Sequence, residues 1–162
     1  MKRIAFVLFL VLSLVGALPA WAQNPHCKKV GGVLMTNIGA IDGTYNLGPV
    51  FGDLAGSVGA KFLTYDGNGK GTVQHYWVTA SGETIKFAVA ELNGVPISED
   101  KLIVAVPWGS YESDIVPGGT GKYENAHGKV WYFGMADLHP NKLTLVLRYR
   151  GEVCFEGGEE EQ

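Results

Sequence analysis

From residue 28 onward, apolar and polar positions alternate in short runs separated by glycine, asparagine and proline. A period of two is the signature of a strand, whose successive side chains point to opposite faces. Runs of this kind cover residues 28–38, 53–65, 71–80, 83–92, 102–106, 129–138 and 142–155, and residues 108–116 are ambiguous. Gly56 and Gly59 predict bends or bulges in the second run. Asp66-Gly67-Asn68-Gly69 is a strong hairpin turn, and Ala80-Ser81-Gly82, Asn93-Gly94 and His139-Pro140-Asn141 are further turns. No long helical period follows residue 22. Many short strands at close spacing predict an all-β domain, a barrel or a sandwich.

The alternation also sorts side chains by face. In 142–155, Leu143, Leu145, Leu147, Tyr149 and Val153 share one face, and Thr144, Val146, Arg148, Arg150 and Glu152 the other. The first face is read as core, because two guanidinium groups are costly to bury without partners. Arg148 and Arg150 then point to water or to another subunit; an inverted wall would bring them into a cavity. In 83–92, Ile85, Phe87 and Val89 share a face. In 72–79, Val73, His75, Trp77 and Thr79 do so, and in 129–138, Trp131, Phe133, Met135 and Asp137. Two such aromatic faces suit either a pocket for a flat or apolar ligand or a plain core. His75, Trp77, Trp131, Phe133 and Tyr149 are therefore pocket candidates. His75 reads as a general acid/base or as a hydrogen-bonded core histidine, and no catalytic residue is assigned.

The N-terminus changes the picture of compartment. A basic Met1-Lys2-Arg3, an apolar run and Ala20-Trp21-Ala22 form a secretory signal peptide over 1–22, leaving a domain over 23–155 and an acidic tail over 156–162. Net charge is −3, and losing Lys2 and Arg3 makes it more acidic by two. No basic stripe is present, which argues against nucleic acid. No later apolar run is long enough to span a bilayer as a helix. The expected location is periplasmic or secreted. Cys27 and Cys154 sit near opposite ends of the mature domain. In an oxidising compartment, and in a barrel whose first and last strands are neighbours, they are expected to form a disulfide. Asp137 and His139 share a strand face beside Pro140, but no cysteine pair or close histidine pair supports a metal site. No metal or other cofactor is expected.

Residues 118–128 organise the C-terminal half. Gly118, Gly119 and Gly121 follow Pro117 and mark a sharp change of direction. Residues 122–127 suit one helical turn capped by Thr120, ended by Gly128, where the next strand begins. Gly118-Gly119-Thr120-Gly121-Lys122-Tyr123 followed by Gly128 resembles a motif of the allene oxide cyclases and dirigent proteins. Val73-Gln74-His75-Tyr76 is similar to one of the cyclases' strands, and Gly52-Asp53-Leu54 to their Gly-Asp pair. The resemblance covers about residues 31–155 and points to an exported, bacterial-type member. It implies a single antiparallel up-and-down β-barrel of about eight strands, with an apolar internal cavity in some members. It also makes Asp53 a polar pocket candidate. The cyclases' catalytic residues are not seen as a set, so their activity is not carried over.

The expected function is binding of a small apolar molecule inside the barrel, with steering of its cyclisation or coupling as an extension. The alternative is a non-catalytic structural or interaction barrel, and homo-oligomerisation is left open.

Overall fold

The structure is a computed structural model that describes residues 26–156. The signal peptide expected over 1–22, and the acidic tail beyond Glu156, lie outside the described residues. Eleven strands form one antiparallel sheet: β1 (His26–Ile41), β2 (Tyr45–Gly52), β3 (Gly56–Tyr65), β4 (Lys70–Thr79), β5 (Thr84–Lys86), β6 (Ala90–Asn93), β7 (Val95–Pro96), β8 (Ile103–Val106), β9 (Glu112–Ile115), β10 (His127–Asp137) and β11 (Thr144–Phe155). Their order is β5-β4-β3-β2-β1-β11-β10-β8-β7, with β6 also on β4 and β9 also on β10.

Local chemistry explains the hairpins. Between β3 and β4, the Asp66 carboxylate accepts the Asn68 and Lys70 N–H groups at 2.7 and 3.0 Å. Gly67 and Gly69 there take φ of 75° and 95°, which a Cβ disfavours. The Gly-rich stretch is a turn that docks on β5. Gly118 has φ 110° and Gly121 φ 58°. A Cβ on Gly119 would lie 2.4 Å from Thr84 O, and one on Gly128 2.1 Å from Glu152 O. The expected helical turn is a 3₁₀ turn, Gly121–Tyr123. Thr120 does not cap it with its side chain; its Oγ1 accepts the Thr84 N–H at 2.8 Å.

Strand β11 pairs over its whole length with residues 26–37 of β1, with Cys27 opposite Cys154. The two cysteines are disulfide-bonded. The closed barrel of about eight strands is corrected. Among the described residues the strand count is eleven, and the ladder is an open path whose flanks are joined by isolated bridges, Phe87 with Ile115 and Leu92 with Tyr111, and by single backbone hydrogen bonds such as that of the Val116 N–H on Lys86 O at 3.0 Å. Interrupted strands explain the difference. The run 83–92 breaks where the Ala88 N–H turns to Asp114 O at 2.9 Å, giving β5 and β6. This shift leaves Val89 exposed and Ala90 buried, contrary to the face expected for Val89. The run 102–106 forms β8, and the ambiguous stretch 108–116 holds the short strand β9 after a turn closed by the Ser110 N–H on Pro107 O. β2 falls in a stretch where no strand was expected, and β3 starts at Gly56 rather than at residue 53.

The core lies inside the curve of the sheet. Val30 and Leu34 from β1, Val73 and Trp77 from β4, Val130 and Tyr132 from β10, and Leu147, Tyr149 and Val153 from β11 are all buried. Arg148 and Arg150 are exposed, as the strand pattern predicts. No helix among the described residues is long and apolar enough to cross a membrane.

Candidate functional site

The interior has a filled half and an open half. In the filled half, Trp77 packs edge-on against Tyr149, with ring centroids 5.4 Å apart, and at a tilt of 32° against Phe87 at 5.7 Å. The polar tips there are satisfied. The Trp77 indole N–H donates to Leu54 O at 2.9 Å, and the Leu54 N–H donates to Tyr149 Oη at 3.0 Å. Such pairing is what buried aromatic side chains with polar atoms require.

The open half is a cavity of about 330 Å³. It lies at the end where β1 turns into β2, β3 into β4 and β10 into β11. Ile38, Phe62, Val73, Val104, Leu145 and Leu147 form much of the wall, and Ala60 and Ala136 leave it wide. Among the described residues no charged side chain lines it. Two polar groups matter. Asn46, wholly buried, accepts the Gly39 N–H on Oδ1 at 3.3 Å, while its Nδ2 has no partner among the described residues. Tyr111 forms part of the inner wall, and its Oη lies 2.6 Å from His75 Nε2.

His75 and Tyr111 stand at the boundary between the halves. The His75 ring stacks on Tyr132 with centroids 5.2 Å apart and meets Phe87 edge-on at 5.5 Å. Burial lowers the His75 pKa from 6.5 to about 4, so the ring is neutral at ordinary pH. Burial also raises the Tyr111 and Tyr132 pKa values above the usual tyrosine range. A neutral pair therefore shares the hydrogen bond. His75 Nδ1 and Tyr132 Oη have no hydrogen-bond partner among the described residues.

The sequence candidates separate. His75, Trp77 and Tyr149 come together in the core, but of these none is in the cavity wall; His75 reaches it through Tyr111. Trp131 and Phe133 are on the outer face. Register decides this: Trp131 is opposite Arg150 and Phe133 opposite Arg148, while Tyr132 is opposite Tyr149. Cross-strand partners share a face, so residues 131 and 133 leave the core together with the arginines. Asp53 is exposed, and its carboxylate accepts the Gly31 N–H at 2.8 Å. Asn46, Tyr111 and Tyr132 were not singled out by sequence. Asn46 falls in a stretch without a clear period, and Tyr111 in the ambiguous run.

Outside the cavity, His139 Nδ1 lies 2.6 Å from Asp137 Oδ1, and its Nε2 lies 3.1 Å from Asp100 Oδ2. Both ring nitrogens are thus engaged by carboxylates, and the cluster ties the 97–102 loop to the end of β10. No family model matches the chain, and no curated protein or solved structure matches it either.

Proposed function

We propose that this is an exported β-sheet protein, of the allene oxide cyclase/dirigent-like kind, that holds a small and mostly apolar molecule in its interior. The observation that carries this reading is the 330 Å³ cavity with its uncharged, largely aliphatic wall. Protein interiors are close-packed, and voids larger than a water are few. A cavity of this size falls at the lower end of ligand pockets. The Asn46 amide adds specificity: an unpaired buried donor is costly, and an acceptor oxygen on the ligand relieves it. A charged ligand would find no counter-ion on the wall. The ligand class is thus a neutral, compact molecule bearing one carbonyl, ether or epoxide oxygen.

Steering of cyclisation or coupling is the extension of this reading. The groups available for it are the Tyr111 hydroxyl, with His75 behind it, and the shape of the wall. The Cys27–Cys154 disulfide suits an oxidising compartment and supports export. The second reading, a structural or interaction protein, is favoured by the filled half around Trp77, Phe87 and Tyr149.

Titration with N-phenyl-1-naphthylamine, a neutral apolar fluorophore, tests the cavity. One saturable site is expected, lost in Ala136→Phe and in Ala60→Leu while near-ultraviolet dichroism is kept. Absence of binding to the native protein, or binding unchanged in both variants, transfers the weight to the interaction reading.

A further inference from the structure

Away from the cavity, the outer face of β10 and β11 carries an aromatic shelf. Trp108 stands on the turn between β8 and β9 and remains 58% exposed. It stacks on Trp131 with ring centroids 6.2 Å apart and planes at 27°, and it meets the Phe133 ring edge-on at 5.2 Å. The turn that carries Trp108 and the indole on which it stacks are each held in place. Gly109 takes φ 82°, and the Ser110 hydroxyl donates to Pro107 O at 2.7 Å, which closes the turn. The Trp131 indole N–H donates to Glu112 Oε2 at 2.8 Å, and Glu112 is paired with Lys129.

Beside the indoles lies a depression of about 400 Å³, lined by Trp108, Trp131, Lys29, Arg150, Gly151 and Glu152. Among the described residues, the side chains of Lys29, Arg150 and Glu152 make no hydrogen bond or ion pair. Gly31 flanks Arg150 across the β1–β11 ladder. A Cβ there would meet only Tyr149 O at 3.4 Å and Arg150 Cγ at 3.8 Å, so packing does not demand a glycine. Its bareness leaves the Arg150 stem open beside the shelf.

We propose that this shelf binds a neutral glycan, with a pyranose ring on Trp108 and its hydroxyls held by Arg150 and Glu152. A pyranose offers a face of C–H groups and an edge of hydroxyls that both donate and accept. The shelf is the complement: flat indoles for the face, guanidinium and ammonium donors and a carboxylate acceptor for the edge. Other occupants fit less well. A phosphate-bearing chain would find Lys29 and Arg150 but would also meet the Glu152 carboxylate between them, and a purely apolar partner would strip water from three charged groups without pairing them. The inference is independent of the interior cavity.

Native electrophoresis through gels containing hydroxyethylcellulose or glycol chitin, with cellohexaose and chitohexaose as competitors, tests it. The protein is expected to be retarded by at least one polymer and released by the matching oligosaccharide. Trp108→Ala should weaken retardation about tenfold, on the scale of one lost aromatic stack, and Trp108→Phe should recover part of it. The tryptophan is exposed, so both variants keep the fold, which near-ultraviolet dichroism checks. Arg150→Ala supplies a second variant with the indoles intact, and weakened retardation is expected there too. The proposal is overturned if neither polymer retards the protein, if Trp108→Ala migrates like the parent, or if heparin alone retards it.

Discussion

Tyr111 Oη lies 2.6 Å from His75 Nε2, and this contact joins the cavity wall to the filled core. The two residues come from β4 and from the segment before β9, which sit at opposite flanks of an open ladder. Leu92 pairs with Tyr111 in an isolated bridge at the same place. A side-chain hydrogen bond thus spans the flanks where the backbone ladder is discontinuous.

Acid should weaken the fold through His75. Its pKa is lowered from 6.5 to about 4 by burial. Above pH 6.5 the ring is neutral in both folded and unfolded chains, and its contribution is complete. Between pH 6.5 and 4 the unfolded chain takes up a proton that the folded chain refuses, so stability falls by about 3 kcal/mol. Urea midpoints at about pH 7 and pH 4.5 should drop further for the parent than for His75→Phe; equal drops would refute the assignment. His139 acts in the opposite sense. The Asp137 carboxylate, first, and Asp100 raise its pKa, so its contribution is present below 6.5 and is lost as pH rises through the folded value.

Cutting the disulfide should loosen the whole sheet. The bridge spans 127 residues of sequence. On the chain-entropy scale a loop of that length corresponds to about 4–5 kcal/mol. Cys27→Ala/Cys154→Ala should therefore unfold at much lower urea than the parent, and thiol titration of the denatured, unreduced parent should find no free thiol. Two free thiols in that sample would show that the bridge does not form in solution.

Gly121→Val should destabilise the protein by about 1–3 kcal/mol, because φ 58° is strained for a β-branched residue. A Cβ there would also come within 2.2 Å of Glu83 Oε1, displacing a carboxylate that accepts the Lys122 N–H at 3.0 Å. Gly121→Asn should cost less, since asparagine tolerates this conformation. Equal urea midpoints for parent and valine variant would show that the turn relaxes freely.

Trp77→Ala separates core from cavity. The side chain is fully buried, so truncation should cost about 3–5 kcal/mol. Trp77 is not in the cavity wall, so the folded fraction should bind N-phenyl-1-naphthylamine with unchanged affinity, whereas Tyr111→Leu should alter it. Loss of binding in Trp77→Ala at full folding would mean that the two halves of the interior are one site.

Local chemistry was legible in the sequence. Asp66-Gly67-Asn68-Gly69 makes its turn with its own carboxylate and glycines, and the alternations of β4 and β11 place His75, Trp77 and Tyr149 inward and the arginines outward. These features depend on nearest neighbours along the chain and on the period of two. Strand β10 was different, because both of its faces are apolar: Val130 and Tyr132 on one, Trp131, Phe133 and Met135 on the other. Periodicity cannot choose between two apolar faces. The pairing of Tyr132 with Tyr149 chose, since a strand's facing is imposed by its partner across the ladder. The cavity, too, is a tertiary product. Asn46, Tyr111, Ala60 and Ala136 lie on four different strands or loops, and only their convergence at one end of the sheet leaves an amide without a partner. The cysteines show both levels at once: their places near the two ends of the domain announced a bridge, and the β1–β11 register set Cys27 directly opposite Cys154.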